Sequence, residues 1–269
     1  MTVMSRVLPA EDRWRLPPSK LEVSREEVHV WCASLDVPWA QLERMARSLS
    51  GDERNRAARF HFERDRQRFI AGRAVLRAIL GRYLDAEPGV LELRYAAHGK
   101  PYLAEGFDGG SLRFNLSHCR GLALYAVTRG REIGIDLEAV QPLVDAEAIA
   151  KRFFSPRENA ALQAIPARHR ALAFFNCWTR KEAYVKGLGD GLIHPLDEFD
   201  VSLAPGEPVR ITAGGRGAGL ASAWTLRELF PPAAGWVAAL AVQGRAEGVS
   251  CWQWEDAGAS LGDRPAGGH

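Results

Sequence analysis

Acidic side chains occur in two short segments of the sequence whose spacing suits divalent-metal chemistry. In the first, the apolar run Ile-Gly-Ile-Asp-Leu-Glu predicts a buried strand, and its alternation places Asp136 and Glu138 on the same face. In the second, Trp178, Glu182 and Lys186 recur every four residues, so a helix would align them in one stripe. Oxygen ligands beside a cation suit Mg²⁺ and phosphate. Each pattern alone is also common as surface charge, but charges within an apolar run tend to be paired or to bind metal.

Candidate anion-binding residues precede the first acidic segment. Lys100 lies in a Gly-Lys-Pro turn between predicted strands, and Ser117 and His118 lie at the end of a strand, where both can donate to an anion. His118 could equally be a loop histidine with a structural hydrogen bond. Residues 54–77 contain eight arginines interleaved with acids, which is typical of an amphipathic surface helix. One or two of these arginines could still bind phosphate.

The elements that must position these residues follow a pattern that runs twice. Hydrophobic periodicity predicts a strand at 28–32, a long helical region at about 54–84, and strands near 91–95, 112–116 and 121–128. The second half is predicted to contain a strand at 133–138, helices near 145–153, 156–164 and 168–186, and strands near 198–203, 208–212, 222–229, 236–243 and 249–254. This pattern predicts an α+β fold of two pseudo-symmetric α/β halves with a cleft between them.

Four regions follow from that division. We expect an N-terminal extension at 1–24 that forms a loose lead-in, an N-terminal half at 25–129, a C-terminal half at 130–254 and a flexible tail at 255–269. With 269 residues, 46% of them hydrophobic, the chain can bury a sizeable core.

Composition favours a cytoplasmic protein with no membrane segment. The four cysteines share no metal-like spacing and are too sparse for a disulfide framework. The first residues are rich in proline and charge where a signal peptide needs an apolar run, and no stretch reaches about 18 uninterrupted apolar residues. A cytoplasmic location follows as an expectation.

Two other functions remain compatible with the acidic and basic residues. The same carboxylates and lysine would serve a magnesium-dependent nuclease, and the arginine-rich helix would serve a noncatalytic nucleic-acid-binding module. Both predict a broad basic surface, whereas the net charge is only +2 and the arginines alternate with acids. We therefore expect no nucleic-acid partner.

Five motifs, in this order, resemble those of the 4′-phosphopantetheinyl transferases, specifically the large monomeric, Sfp-like type with two fused halves. The motifs are Gly-Lys-Pro, Asn-Leu-Ser-His, Gly-Ile-Asp-Leu-Glu, Phe-Phe-Ser-x-x-Glu and Trp-x-x-Lys-Glu-Ala-x-x-Lys, within a match over about 28–243. The resemblance implies a fold of two fused α/β halves with the active site in the cleft between them. It also implies that the protein is a monomer. It also implies transfer of 4′-phosphopantetheine from coenzyme A to a serine of an apo carrier protein, giving holo-carrier and 3′,5′-ADP.

The resemblance assigns the acidic residues to a metal. It implies that Asp136 and Glu182 bind Mg²⁺, with Mn²⁺ as an alternative ion, and that Glu138 is a third ligand or holds a metal-bound water. It places Lys186 against the transferring phosphate. The proton of the serine would go to Glu182 or to that water, and the sequence does not choose between them.

The same resemblance assigns the basic residues to coenzyme A, the co-substrate. Lys100, Ser117 and His118 would hold it, with His118 and an arginine near its 3′-phosphate. Arg56 is the better candidate for that arginine and Arg73 the other.

Two departures from the family pattern accompany these assignments. Cys119-Arg120-Gly121 stands where many members have Ser-Gly, and the leading 24 residues have no family counterpart. The partner implied is a carrier protein of the acyl, peptidyl or aryl type, for polyketide, nonribosomal-peptide or fatty-acid biosynthesis. Carrier domains are typically acidic, so the basic residues could steer them to the cleft.

Overall fold

The computed structural model describes residues 13–107, 110–142, 145–189, 195–213 and 223–255. The strands are β1 (Glu27–Ser34), β2 (Leu93–Tyr95), β3 (Pro101–Leu103), β4 (Leu112–Cys119), β5 (Leu122–Arg129), β6 (Ile133–Ala139), β7 (Phe199–Val201), β8 (Ile211–Ala213), β9 (Trp224–Leu229), β10 (Trp236–Gln243) and β11 (Gly248–Gln253). The helices are α1 (Trp39–Ala46), α2 (Gly51–Ala57), α3 (Glu63–Leu84), α4 (Ala146–Phe153), α5 (Pro156–Ala164) and α6 (Ala167–Leu188).

The order of elements repeats, which confirms the predicted pair of α/β halves. Each half runs through one long strand, three helices, a short hairpin and two further strands. The larger sheet has the order β11-β1-β5-β4 and the smaller one β6-β10-β9. β1 is antiparallel to β5 as β6 is antiparallel to β10, so corresponding strands occupy corresponding positions.

Each half also starts its second helix with a capping box. Ser50 and Glu53 exchange side-chain and backbone hydrogen bonds at the start of α2, and Ser155 and Glu158 do the same at the start of α5. Such boxes satisfy backbone donors that the first helical turn leaves free. The equivalent signals in the two halves explain why both short helices begin where they do.

The capping glutamates then anchor the two long helices. Glu53 pairs with Arg77 of α3 (Oε2 to Nε, 2.7 Å), and Glu158 pairs with Lys181 of α6 (Oε2 to Nζ, 2.8 Å). All four side chains are buried, and each base also donates to backbone carbonyls in and just after the 3₁₀ turn that follows its helix. A buried charge needs such complete pairing, so these contacts fix the rotation of α3 and α6.

The two sheets pack face to face, and the long helices cover their outer faces. Val30 and Leu124 of the larger sheet belong to the same buried cluster as Ile135 and Leu240 of the smaller sheet. These side chains have no exposed surface, and burying one aliphatic side chain contributes about 1.5–3 kcal/mol. The junction between the halves is therefore a core, and it holds the neighbouring strands β4 and β6 in place.

The final strand returns to the first half. β11 pairs in parallel with β1, although it follows the last strand of the second half. The division at residues 129 and 130 remains a prediction.

The expectation of a loose lead-in at 1–24 is wrong for its described part. Leu21 and Val23 are buried, and the Trp14 indole donates to the Phe230 carbonyl. Leu21 and Val23, which follow the prolines, and Trp14, which precedes Pro17, pack this segment onto the domain. Residues 1–12 and 256–269 lie outside the described ranges, so the tail remains a prediction.

The helices differ from the predictions at two places. The single helical region at 54–84 is wrong, because the chain forms α2 and α3 with a break at 58–62 that no proline or glycine marks. The helix α1, which follows Pro38, was not predicted. None of the helices in the described ranges combines the length and the hydropathy of a membrane span.

Candidate active site

The strand β6 and the helix α6 lie against each other because a glycine stands at their closest approach. A Cβ at Gly134 would lie under 3.0 Å from the backbone of Ala183 and of Gly187, a distance that real side chains do not adopt. Only glycine permits this approach. Asp136 lies two residues after Gly134 on β6, and Lys186 directly precedes Gly187 on α6, so the contact joins the two acidic motifs.

A second connection joins β6 to β4. Asn115 accepts a hydrogen bond from the backbone of Ile135 (Oδ1 to N, 2.9 Å), although the two strands lie in different sheets. Ser117, two residues further along β4, then donates to Asp136 (Oγ to Oδ1, 2.9 Å). The role of Asn115 was not predicted, although it stands within the Asn-Leu-Ser-His motif.

Asp136 is the centre of this cluster. It is buried, and its Oδ1 accepts from Lys186 (2.6 Å from Nζ) as well as from Ser117. Its Oδ2 and the Oε1 of Glu182 are buried without a hydrogen-bond partner among the described residues. Buried oxygens normally have a partner, so these two oxygens are suited to receive a cation or a donor from a ligand.

The carboxylates of the cluster repel one another. Burial, and next the negative charge of Asp136, raise the pKa of Glu138 and of Glu182, while Lys186 opposes both rises. One ammonium group therefore does not neutralise three carboxylates. A divalent cation would supply the missing charge.

The charge and the free oxygens fit a metal, but the side chains are not yet arranged as a ligand set. Within the described ranges, no group of three or more histidine, cysteine, aspartate or glutamate side chains stands ready to hold an ion. One oxygen of Asp136 is also engaged by Lys186. Metal binding would thus require side-chain rotation, which the exposed part of the Lys186 side chain allows.

His118 connects this cluster to the arginines of α3. His118 keeps contact with solvent near the end of β4, although groups around its ring remove part of that solvent. This partial desolvation is the main reason that its pKa is lowered, and the positive charges of Lys186, Arg73 and Arg68 lower it further. His118 therefore stands in a positive field, where an anion would be stabilised.

The predicted arginines flank two aromatic rings. The guanidinium carbons of Arg56 and Arg73 lie 5.5 Å from the centre of the Phe69 ring, and 5.9 and 5.4 Å from that of Tyr95. Arg73 is buried, yet its Nη1 has no partner in the described part of the chain. Arg56 and Tyr95 also line an open pocket of about 690 Å³. Tyr95 was not predicted, since no local signal links it to α3.

The ammonium group of Lys100 is already occupied by hydrogen bonds within the protein and is not free to donate to a phosphate. Its ammonium donates to Glu132 (3.3 Å) and to the carbonyls of Ile133 and Gly187 (3.2 Å each), which uses all three of its N–H groups. Burial is the main reason that its pKa is lowered. Lys100 connects the two halves, and its predicted contact with coenzyme A would require one of these bonds to be exchanged.

Most of the chain matches described families. Residues 132–241 match the 4′-phosphopantetheinyl transferase superfamily, and residues 37–129 match the family described as 4′-phosphopantetheinyl transferase, N-terminal. The two matches meet between β5 and β6.

Individual relatives agree with these matches. The 4′-phosphopantetheinyl transferase HetI of Nostoc sp. is 46% identical over 231 residues, which are 86% of this chain and 94% of that protein. The 4′-phosphopantetheinyl transferase Sfp of Bacillus subtilis (strain 168) is 31% identical over 171 residues, 63% of this chain and 74% of the relative. The solved holo-[acyl-carrier-protein] synthase of Thermotoga maritima is 21% identical and covers 42% of this chain and 63% of its own, at a TM-score of 0.34.

The family matches, together with the relative HetI, show that this protein is an enzyme of the phosphopantetheinyl transferase class. The chain belongs to the 4′-phosphopantetheinyl transferase superfamily, as a two-domain, Sfp-like member.

Proposed function

We propose that this enzyme transfers the 4′-phosphopantetheine group of coenzyme A to a serine of an apo carrier protein in a Mg²⁺-dependent reaction. The products are the holo-carrier and 3′,5′-ADP. The observation that carries the proposal is the cluster of Asp136, Glu138 and Glu182 beside Lys186, with two buried carboxylate oxygens that have no partner in the described ranges. HetI and Sfp, which bear the name 4′-phosphopantetheinyl transferase, support the same reaction.

The positive residues of the first half would bind coenzyme A. Arg73 has an unpartnered Nη1 and acts electrostatically on His118, which in turn lies within the field of Lys186. These groups form a path from α3 to the carboxylates. We assign the 3′-phosphate of coenzyme A to His118 with Arg73 or Arg56, and the pyrophosphate to Ser117 and Lys186.

The acidic residues would hold the metal. Asp136 and Glu182 each offer an oxygen that has no hydrogen-bond partner in the described ranges, and Glu138 adds its carboxylate to the same negatively charged cluster. When bound, Mg²⁺ or Mn²⁺ offsets the charge of the pyrophosphate, and it accepts the oxygen ligands that these side chains provide.

The chemical step is a displacement at phosphorus. The serine Oγ bonds to the β-phosphorus of coenzyme A, the bond from that phosphorus to the bridging oxygen breaks, and 3′,5′-ADP leaves with the electron pair. The serine proton goes to Glu182 or to a water held by Glu138. The raised pKa of both carboxyls strengthens them as bases. Lys186 stabilises the charge that develops on the transferring phosphate.

A direct test is to incubate the protein with coenzyme A, Mg²⁺ and an apo acyl carrier protein and then to measure the molecular mass of the carrier by mass spectrometry. We expect the carrier to gain the mass of one phosphopantetheine group, and 3′,5′-ADP to appear in equal amount. An unmodified carrier, or release of 3′,5′-ADP without carrier modification, would refute the proposed transfer. A monomeric state and a cytoplasmic location remain predictions.

A further inference from the structure

The strand β6 lies at an edge of its sheet, so its outer backbone groups need partners that the sheet does not supply. In the described part of the chain, the smaller sheet has the order β6-β10-β9. The carbonyl of Glu132 accepts from the amide of Gln243 (2.9 Å), just before β6 and at the end of β10. Because backbone groups alternate along an antiparallel strand, those of Ile133 and Ile135 face away from β10. Buried backbone groups are costly when unpaired, so this outer edge requires other partners.

Two side chains of the first half take the place of a strand at this edge. Asn115 accepts from the amide of Ile135 (Oδ1 to N, 2.9 Å), and the ammonium of Lys100 donates to the carbonyl of Ile133 (3.2 Å). The strand β4, which carries Asn115, is itself an edge strand of the larger sheet. The backbone of β6 is thus aligned with the first half by side chains and not by a backbone ladder.

Lys100 also holds the end of α6. Its ammonium donates to the carbonyl of Gly187 (3.2 Å), which lies in the last turn of that helix. Carbonyls of a last helical turn have no donor within the helix, and a cation at this end interacts favourably with the helix dipole. One nitrogen atom therefore joins β6 to α6.

The two carbonyls lie close in sequence to residues of the carboxylate cluster. Ile133 precedes Asp136 by three residues on β6, and Gly187 directly follows Lys186 on α6. Asp136 and Lys186 are 2.6 Å apart between Oδ1 and Nζ. A shift of β6 along α6 would change this distance, and the contacts of Lys100 oppose such a shift.

The turn that carries Lys100 is well fixed. The amide of Gly99 donates to the carbonyl of Ala96 (2.8 Å), and the amide of Ala96 donates to the carbonyl of Lys100 (2.9 Å). Gly99 has a φ of 80°, which favours glycine, and Pro101 starts β3 with a φ that its ring restricts. The Gly-Lys-Pro motif thus gives the long side chain of Lys100 a rigid base.

We propose that Lys100 is a positioning residue that keeps Asp136 on β6 in place against Lys186 on α6. The inference rests on the proposed function, and it gives Lys100 a role other than the contact with coenzyme A that the resemblance implies. A displacement of about 1 Å at reacting groups can cost roughly a hundredfold in rate. Lys100 would therefore affect turnover without touching a substrate.

The test compares Lys100→Met and Lys100→Arg with the control Lys151→Met, which changes an exposed lysine of α4. Methionine keeps most of the apolar stem but removes the three donors. Arginine keeps the charge, but its planar group does not place one nitrogen against three acceptors. Transfer rates and calorimetric binding of coenzyme A are measured at a temperature where urea unfolding shows that each variant is folded.

We expect Lys100→Met to lower kcat roughly tenfold or more. The Mg²⁺ concentration for half-maximal rate should rise roughly tenfold, because the residues that would hold the ion lose their alignment. The Kd for coenzyme A, measured without metal, should stay unchanged. Lys100→Arg should restore only part of the rate, and Lys151→Met should behave as wild type.

Two results would overturn the inference. A weaker Kd for coenzyme A in Lys100→Met, with wild-type affinity and rate in Lys100→Arg, would show that Lys100 is a phosphate ligand. Lower stability with unchanged kcat and Mg²⁺ dependence would show a purely structural contact. If Lys100→Met does not fold, a reduced rate with unchanged Kd in Lys100→Arg supports the inference, and a wild-type rate in that variant contradicts it.

A further measurement does not depend on transfer. Hydrogen exchange of the Ile135 amide, followed by NMR, should be faster in Lys100→Met than in wild type and Lys151→Met, because the outer edge of β6 loses one of its two contacts. Unchanged exchange would contradict the proposed role of Lys100. Absence of transfer by the wild-type protein would instead refute the proposed function and would leave this difference in exchange in place.

Discussion

A single ammonium group connects the two acidic motifs at the residue scale. Lys186 donates to Asp136 at 2.6 Å and to Ser117 at 3.2 Å, and it is the only assigned phosphate ligand on α6. Its position at the carboxylates means that a phosphate drawn toward Lys186 also approaches Asp136 and Glu182. The transferring phosphate and its counter-charges would thus meet at one point.

Lys186→Ala should therefore lower kcat roughly a hundredfold while the Kd for coenzyme A changes much less, because the ammonium matters most as charge develops in the transition state. Lys186→Arg should restore activity only in part, since the planar guanidinium group of arginine is larger than an ammonium group and is shaped to bind two oxygens. Steady-state rates at saturating coenzyme A, together with calorimetric binding, measure both quantities. An effect of Lys186→Ala on KM alone would show that Lys186 is only a ground-state contact.

The assignment of the 3′-phosphate gives a second prediction. His118→Ala should weaken the binding of coenzyme A by roughly 1–3 kcal/mol, because a charge-assisted hydrogen bond to the 3′-phosphate is lost. The binding of 3′-dephospho-coenzyme A, which lacks that phosphate, should change little. Arg73→Gln and Arg56→Ala should show the same selectivity if they share that phosphate. When either arginine substitution is combined with His118→Ala, the loss of binding free energy for coenzyme A should be smaller than the sum of the two single losses. Equal weakening of both ligands would place His118 at the pyrophosphate or in a structural role.

The sequence indicated the carboxylates better than the other site residues, for a local reason. Asp136 and Glu138 share a face because strands alternate, and Glu182 and Lys186 lie one helical turn apart. The pairing of Lys100 with carbonyls of the second half, and the contact of Tyr95 with Arg56 and Arg73, join residues that are distant in sequence. Local periodicity carries no information about such contacts.

At the scale of elements, the approach of β6 to α6 depends on Gly134. Gly134→Ala should destabilise the fold by roughly 1–3 kcal/mol or more, because the added methyl group meets the backbone of α6. It should also reduce transfer at temperatures where the variant is still folded, because α6 carries Glu182 and Lys186. Urea unfolding and transfer rates measure the two effects.

Gly51 in α2 is the matched control for that substitution. A Cβ there would have no neighbour within 4 Å, so Gly51→Ala should be neutral or slightly stabilising. Wild-type stability and activity in Gly134→Ala would contradict the close-packed arrangement.

Among the helices, the bounds of α5 were predicted most closely. The helix α5 starts at a capping box with proline in its first turn, and its predicted and observed bounds coincide. The break at 58–62 has no such signal, and its residues Phe60 and Phe62 stay exposed. The local sequence therefore favours one helix, whereas the structure has two, α2 and α3, which are joined by the buried Glu53–Arg77 pair.

At the scale of the whole molecule, a buried histidine lies among the aromatic residues that join the chain ends. His29 on β1 contacts Tyr83 (Nδ1 to O, 2.7 Å) and packs edge-on against Trp252 of β11. Burial lowers the pKa of His29 to about 4 from an ordinary value of 6.5. The folded protein thus holds the neutral ring.

This burial predicts a pH dependence of stability. Between pH 6.5 and 4 the unfolded chain binds a proton that the folded state does not, so the stability present above pH 6.5 is lost as the pH falls. The loss from His29 should be roughly 2 kcal/mol at pH 5. His29→Asn should lower stability at pH 7 but lose less on going to pH 5, as urea unfolding at both values would show. Equal losses in wild type and variant would mean that His29 is not buried in its neutral form.

The most direct test of the account concerns the carboxylate cluster. It compares wild type, Glu182→Gln and Glu147→Gln, a matched exposed glutamate in the first turn of α4, in conversion of an apo acyl carrier protein over a range of Mg²⁺ concentrations. We predict that wild type and Glu147→Gln transfer phosphopantetheine only with the metal, and that Glu182→Gln falls to roughly a hundredth of that rate or less while coenzyme A still binds. A near-normal rate for Glu182→Gln at low Mg²⁺ would contradict the assignment of the cluster.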